Sequence, residues 1–148
     1  MSQYTTITEA QTYFDGRLNT EAWDDADKTK RDKSLKHATS LIERLNFTGD
    51  KADEDQVLQF PRGDDTTVPT DIQYACAELA MALLDGVDPD LELENLGMVS
   101  QGIASIRSTY DVSRPSEHIL AGIPSASAWR FLKPYLRDPL TVNLDRVG

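Results

Sequence analysis

The chain has 148 residues, which suits one domain with a single hydrophobic core. Hydrophobic residues make up 39% and charged residues 27%, as in a folded soluble protein, and no apolar run approaches the roughly 20 residues of a membrane span. Its 25 acidic and 15 basic residues give a formal net charge of -10. Because Lys and Arg contacts with phosphates dominate the affinity of nucleic-acid binders, this charge argues against tight non-specific DNA binding.

The chain start and the single cysteine add two expectations. Met1 to Tyr4 have neither the basic region nor the apolar stretch of a signal peptide, so we expect synthesis in the cytoplasm. Cys76 is the only cysteine, which excludes an intrachain disulfide. Within a helical pattern it is most simply a small buried hydrophobe.

The first predicted helix covers residues 8–17. Thr6 and Glu9 have the spacing of a capping box, a hydroxyl three residues before a carboxylate, and apolar residues then recur at helical spacing. Trp23 follows in a predicted connecting turn. A large aromatic side chain there is expected to plug the core.

A second helix is predicted over residues 25–45. Its apolar stripe consists of Leu35, Ala38, Leu41, Ile42 and Leu45. The preceding run 28–33 is rich in lysine and arginine. It fits either a solvated first half of the helix, which we favour, or a basic contact patch for a partner.

The next segment, residues 46–55, is predicted to be a solvated acidic loop. Its clustered acids suggest calcium binding, but no glycine and no closing glutamate stand at the EF-hand positions.

A helix over 69–85 follows, with Pro69 near its first turn and Gly86 as its stop. Its alanines permit close approach of other helices, so we expect it to be the central helix.

Beyond residue 90 the periodicity changes. Residues 91–112 alternate apolar and polar side chains around a turn signal, which predicts a β-hairpin that must pack on the bundle or on a neighbouring subunit. A last helix is predicted from Pro124, with Ser125 or Ser127 as cap and Pro134 kinking or ending it. Residues 137–148 are predicted to form an extended tail.

The sequence shows no catalytic pattern. His37, in the second helix, and His118, in a polar loop, lack further ligands at metal spacing. Glycine-rich phosphate loops and Gly-x-Ser-x-Gly elbows are missing from the sequence, and the carboxylates sit in acidic runs. We therefore predict that the protein is not an enzyme and that it binds no cofactor or metal.

Several short patterns occur in a characteristic order. Gln56, Leu58, Phe60, Pro61 and Arg62 form a Gln-x-Leu-x-aromatic-Pro-Arg step. The other matching positions are Thr6 to Phe14, Trp23, Ala38-Thr39 through Leu45, Val68-Pro69, Ile72, Ala75, Glu78, Ala80, and the region Pro124 to Leu136. Together they resemble the head–tail connector, or neck adaptor, proteins of tailed bacteriophages. Phe60 stands where tryptophan is common in that family, and residues after 136 match nothing in it.

The resemblance implies a mainly α fold. The expected architecture is a small bundle of about four helices in one domain, residues 1–136, with the β-hairpin excursion and the C-terminal tail. The family's subunits assemble as a ring, usually of twelve copies, beneath the portal protein. The ring extends the DNA channel without tight DNA binding and presents a platform to the stopper or tail. The chain would therefore reside in the virion, at the head–tail junction, with no membrane contact.

The resemblance also suggests structural and interface residues. Phe60 and Pro61 would fix the loop, and Arg62 would pair with an acid of its own or the next subunit; alternatively, all three only hold the fold together. The hairpin and the tail are preferred for contacts between subunits or with the portal. The full set of structural or interface candidates is Trp23, Phe60, Pro61, Arg62, Ile106, Tyr110, Trp129, Arg137, Leu140 and Val142.

Two other functions stay open. Some members of the group have been labelled single-stranded-DNA-binding proteins that resemble a primosomal helicase-loading factor. That replication role requires aromatic residues interleaved with basic ones, whereas Trp23, Phe60 and Trp129 are predicted to be core residues. A tail-completion or terminator ring subunit is the third possibility, and it is normally richer in strand.

Overall fold

A computed structural model describes residues 3–88 and 116–137 of the chain, and these residues are mainly helical. The α-helices are α1 (Ile7–Asp15), α2 (Glu21–Asp24), α3 (Lys28–Glu43), α4 (Thr70–Leu84), α5 (Glu117–Leu120) and α6 (Ala126–Leu132), followed by a 3-10 turn (Lys133–Tyr135). Within the described ranges, extended pairing is limited to two isolated antiparallel bridges, Phe47 with Leu136 and Lys51 with Arg62. The predicted hairpin lies outside these ranges.

The predicted capping box at the start of α1 is confirmed. The Thr6 hydroxyl accepts a hydrogen bond from the Glu9 amide at 3.1 Å, and the Glu9 carboxylate accepts one from the Thr6 amide at 3.2 Å. The helix ends two residues earlier than predicted. Its C-cap, Gly16, donates its amide to the carbonyl of Tyr13 at 3.2 Å, which closes the last turn.

The predicted second helix, residues 25–45, is the single helix α3, which begins three residues later and ends two residues earlier than predicted. Asp27 begins α3, since its carboxylate accepts a hydrogen bond from the Lys30 amide at 2.8 Å. Trp23 lies in the separate short helix α2, and its expected position in a turn is wrong. The predicted stripe of α3, from Leu35 to Leu45, is buried throughout.

Helix α4 has the predicted stop. Gly86 has φ of 88°, and its amide donates to the carbonyl of Leu83 at 3.1 Å. The Val87 amide donates to the carbonyl of Ala82 at 3.2 Å. These two bonds form a Schellman motif, whose left-handed residue is most easily glycine.

Helix α4 is also the central helix, as predicted. It packs chiefly against α3 and α6 and additionally touches α1 and α2. Its buried residues are Ile72, Ala75, Cys76, Ala77, Glu78, Leu79 and Ala80. Cys76 is buried, as predicted, and its burial raises the pKa of the thiol to about 11.

The C-terminal described segment contains one unpredicted helix. His118 lies in α5 rather than in a loop, and its Nδ1 is 2.8 Å from the carbonyl oxygen of Ile123. Ser125 caps α6 by accepting from the Ala128 amide at 3.1 Å. The helix ends at Leu132 and is followed by the 3-10 turn that contains Pro134.

No helix among the described residues is long and apolar enough to cross a membrane.

Candidate assembly site

The connection between α3 and α4 holds the aromatic-Pro-Arg step against the core. Phe60 is 4% exposed, and its peptide bond to Pro61 is cis. Its ring meets the rings of Tyr4, Phe47 and Tyr135 edge to face, with centroids 6.0, 4.7 and 5.8 Å away. Such edge-to-face pairs stabilise the fold in addition to the burial of the ring. Phe60 therefore joins the two ends of the described chain to its middle.

Gln56 closes the loop around this ring. Its side-chain amide donates to the carbonyls of Leu58 and Pro61, both at 2.8 Å. Its side-chain oxygen accepts from the Asp53 amide at 3.0 Å. Gln56 thus forms hydrogen bonds with loop backbone groups that have no partner in a helix or sheet.

Arg62 is directed at carbonyl groups of its own chain. Its Nε donates to the Thr48 carbonyl at 2.9 Å, and Nη1 donates to the Gln59 carbonyl at 3.1 Å and to the Gln59 side-chain oxygen at 2.9 Å. Nη2 donates to the Gly49 carbonyl, and the guanidinium carbon lies 5.9 Å from the centroid of the Phe60 ring. Partial burial lowers the pKa of Arg62.

Arg62 was predicted to pair with an acid of its own or of the next subunit, and these contacts correct the first of these two predictions. Among the described residues, the hydrogen-bond partners of its guanidinium are carbonyl oxygens of the loop and the Gln59 side chain, not carboxylates. The planar fork of the guanidinium fits several such acceptors at once. A contact with the next subunit stays a prediction. The role that the geometry establishes for Gln56, Phe60 and Arg62 is to fix the loop.

Tyr4 is a further member of the site that sequence analysis missed. Its hydroxyl donates to the Glu43 carboxylate and accepts from the Phe60 amide at 3.2 Å. The same carboxylate accepts from the Gln59 amide at 3.0 Å. Burial, together with the hydrogen bond to Glu43, raises the pKa of the Tyr4 phenol above its ordinary value. No local pattern could reveal this role, since the partners lie 39 and 56 positions away.

A second polar cluster is built on the central helix. Glu78 is 3% exposed and accepts from Arg17 Nε at 2.6 Å, from Arg17 Nη2 at 3.1 Å and from the Tyr13 hydroxyl at 2.5 Å. Arg17 and Glu78 also border a surface cleft of about 410 Å³. Glu78 is one of the positions that match the family pattern, but the sequence indicates no role for it. Its signal was a lone carboxylate within an alanine-rich apolar helix.

The two tryptophans proposed for structural or interface roles are core residues. Trp23 is fully buried, donates its Nε1 to the Gln11 side-chain oxygen at 2.9 Å, and lies under the guanidinium of Arg31 at 5.1 Å. Trp129 is 5% exposed and donates its Nε1 to the Glu117 carboxylate at 2.7 Å. Both indoles are therefore satisfied inside the fold.

The remaining candidates fall in two groups. Arg137 is exposed, and its amide donates to the Asn46 carbonyl at 2.9 Å, beside the bridge between Phe47 and Leu136. Its side chain is therefore available for a partner. The others lie outside the described residues, so their roles stay predictions: Ile106, Tyr110, Leu140 and Val142.

The described surface carries no exposed aromatic side chain. The sequence contains eleven aromatic residues, and all but Tyr110 lie in the described ranges. Six of those are buried and four are partly buried. Bases of single-stranded nucleic acid stack on exposed aromatic rings, and this part of the chain offers none. The same ranges contain no group of three or more His, Cys, Asp or Glu residues arranged to hold a metal ion.

Comparison with known proteins gives one match. Neither the curated proteins nor the solved structures contain a match to this chain. A family model matches residues 2–147, nearly the whole sequence. The chain therefore belongs to the family described as "Putative DnaT-like ssDNA binding protein".

Proposed function

We propose that this chain is a structural subunit of a phage neck, where copies form a ring that joins the portal to the stopper or tail and extends the DNA channel. The proposal rests on the ordered resemblance to connector proteins. It involves no reaction and no cofactor. DNA passes through such a ring, so its surface must not retain nucleic acid.

The observation that carries the proposal is the surface chemistry. The chain has a net charge of -10, and its described aromatic side chains are all at least partly covered. Phosphates are repelled by the overall charge, and bases find no ring to stack on. Such a surface suits a channel component better than a DNA-binding protein. The motif residues around Phe60 hold the loop between α3 and α4 by side-chain hydrogen bonds to its backbone.

The family description favours a second function, a replication accessory protein that binds single-stranded DNA. Within the described residues, the exposed lysines of α3 would contribute to the electrostatic attraction of DNA. A third function, a tail-completion or terminator ring, calls for more strand than the isolated bridges of the described residues supply. Strand content from circular dichroism of the full chain tests that third possibility.

The decisive experiment is quantitative mass spectrometry of purified particles from the source phage. The measured quantity is the number of copies of this chain per copy of portal protein. A ratio near one is expected for a ring matched to the portal. Absence from particles, with abundance in the infected-cell lysate, would contradict the neck assignment and favour the replication function.

A further inference from the structure

One exposed side of α3 and its C-cap carries five basic side chains. Lys30, Lys33, Lys36, His37 and Arg44, here called the basic face, are all exposed. At about 100° per residue, these positions fall within an arc of about 120° on one side of the helix, over about 20 Å. This local charge is opposite in sign to the net charge of the chain, which is -10.

Part of the basic face lies beside carboxylates of the same chain, since His37 and Arg44 line a surface cleft together with Asp88. Lys36 pairs with Asp32 at 3.0 Å, and both side chains stay largely exposed. Asp27 precedes the helix and is engaged as its N-cap. Glu43 turns away from the basic face toward Tyr4. The lysines at positions 30 and 33 therefore present their charge outward.

The complementary surface lies on the same molecule, beyond the C-terminal end of α3. Residues 50–65, here called the 50–65 segment, include the exposed acids Asp50, Asp53, Glu54, Asp55, Asp64 and Asp65. The segment has only two basic residues. Arg62 donates to loop carbonyls, and Lys51 is 3.4 Å from the Gln56 carbonyl. The segment thus presents a net negative surface.

Within one chain, the 50–65 segment cannot reach the lysines at the N-terminal end of the basic face. The 50–65 segment is held at the C-terminal end of α3 by the bond of Gln59 to Glu43 and by the Phe60 ring in the core. Lys30 lies about 20 Å further along the helix. The charges can therefore pair fully only between two molecules.

We propose that the basic face of α3 is the docking surface for the 50–65 segment of a second copy of this chain. The contact joins different surfaces of identical subunits, and head-to-tail contacts of this kind generate rings when the rotation closes. The inference rests on the proposed ring function, and it names the subunit contact that such a ring needs. Electrostatic complementarity sets the register and the rate of such a contact.

The test is charge reversal with a charge swap. Sedimentation velocity of the full chain at low salt measures self-association of the wild type and of K30E/K33E, D53K/E54K and the quadruple variant. Each double variant should associate about tenfold more weakly, because like charges then face each other. The quadruple variant, or an equimolar mixture of the two double variants, should recover association. These side chains are exposed, so the fold should survive, as far-UV circular dichroism can verify.

Matched controls separate this contact from general charge effects. K33E and R130E change the net charge equally, yet only the first alters the basic face, so only the first should weaken association. A wild type that stays monomeric, or a quadruple variant that fails to recover, would overturn the inference. So would variants that associate normally but lose binding to a fluorescent 30-mer of polythymidine, since the basic face would then serve DNA.

The neck assignment can fail separately. If the charge swap restores association but the chain is absent from phage particles, the contact stands and the neck function does not. If the chain is present at one copy per portal subunit while K30E/K33E assembles normally, the neck function stands and this contact does not.

Discussion

At the scale of single residues, the most consequential feature is a carboxylate inside the central helix. Glu78 is almost fully buried and depends on Arg17 and Tyr13 for its hydrogen bonds. Taking a charge out of water costs several kcal/mol unless the partners are in place. The ion pair therefore fixes where α1 ends relative to α4, and its loss should be felt throughout the fold.

The Arg17→Met substitution tests this dependence. It leaves Glu78 buried without its cation, so the free energy of unfolding should fall by about 3 kcal/mol in urea denaturation. The double variant R17M/E78M, which removes both charges, should regain most of that loss. Lys36→Met is the control, because it breaks an exposed pair with Asp32 and should cost at most about 0.5 kcal/mol. Equal costs for R17M and K36M would contradict the structural role.

Tyr4 makes stability sensitive to alkaline pH. Burial and the bond to Glu43 raise the pKa of its phenol in the folded chain, so the folded state holds this proton more tightly than the unfolded state. The resulting stabilisation is complete below about pH 10, the ordinary tyrosine pKa, and is lost as the pH rises further. When the pH rises from 10 to 11, the free energy of unfolding should fall in both proteins. The fall should be about 1 kcal/mol smaller in Tyr4→Phe than in the wild type.

Urea denaturation at these two pH values measures the difference. The Tyr74→Phe variant is the control, since the Tyr74 hydroxyl has no carboxylate partner in the described ranges, and it should decline as steeply as the wild type. An equal decline in Tyr4→Phe would show that the Tyr4 phenol does not contribute to the alkaline loss.

At the scale of elements, the loop between α3 and α4 is held by side chains rather than by regular secondary structure. Arg62 is its main donor, and a lysine at this position would keep the charge but lose the planar fork. In Arg62→Lys, we expect hydrogen exchange of the Ala52 and Gly63 amides to become about tenfold faster, a cost of about 1.4 kcal/mol in local opening. These amides bond to the Pro61 and Asp50 carbonyls within the same loop.

The control is Arg130→Lys, an exposed arginine of α6, which should leave both amides protected. If Arg62→Lys keeps the amide protection but weakens self-association, the main role of Arg62 is a contact between subunits. If both change, the loop must be ordered before subunits can dock.

The elements that sequence analysis predicted correctly have strong local signals. The Thr6 capping box, the apolar stripe of α3 and the stop at Gly86 each involve residues only a few positions apart. The short helices α2 and α5 have one turn each, too little for a periodic pattern. The surroundings of Phe60 and Glu78 depend on partners far along the sequence, which no local pattern specifies.

At the scale of the whole molecule, aromatic rings connect the elements into one core. Phe60 touches Tyr4, Phe47 and Tyr135, while Tyr13 joins α1 to Tyr74 of α4 at 4.5 Å. The bridge between Phe47 and Leu136 ties the last described residues to the segment after α3. Every described element of at least seven residues therefore shares the same buried cluster.

This connectivity predicts a single cooperative unfolding transition, and the two tryptophans can report on it separately. Trp23 lies in α2, against Phe14 of α1, and Trp129 lies in α6. In the single-tryptophan variants W23F and W129F, the fluorescence of the remaining indole should follow far-UV circular dichroism through one urea midpoint. Each substitution lowers stability by itself, so the two signals are compared within one variant. If Trp129 fluorescence in W23F changes at lower urea than the dichroism, the C-terminal helices unfold as a separate unit. The proposed ring function requires the coincident result, because a ring subunit must present several surfaces in one fixed arrangement.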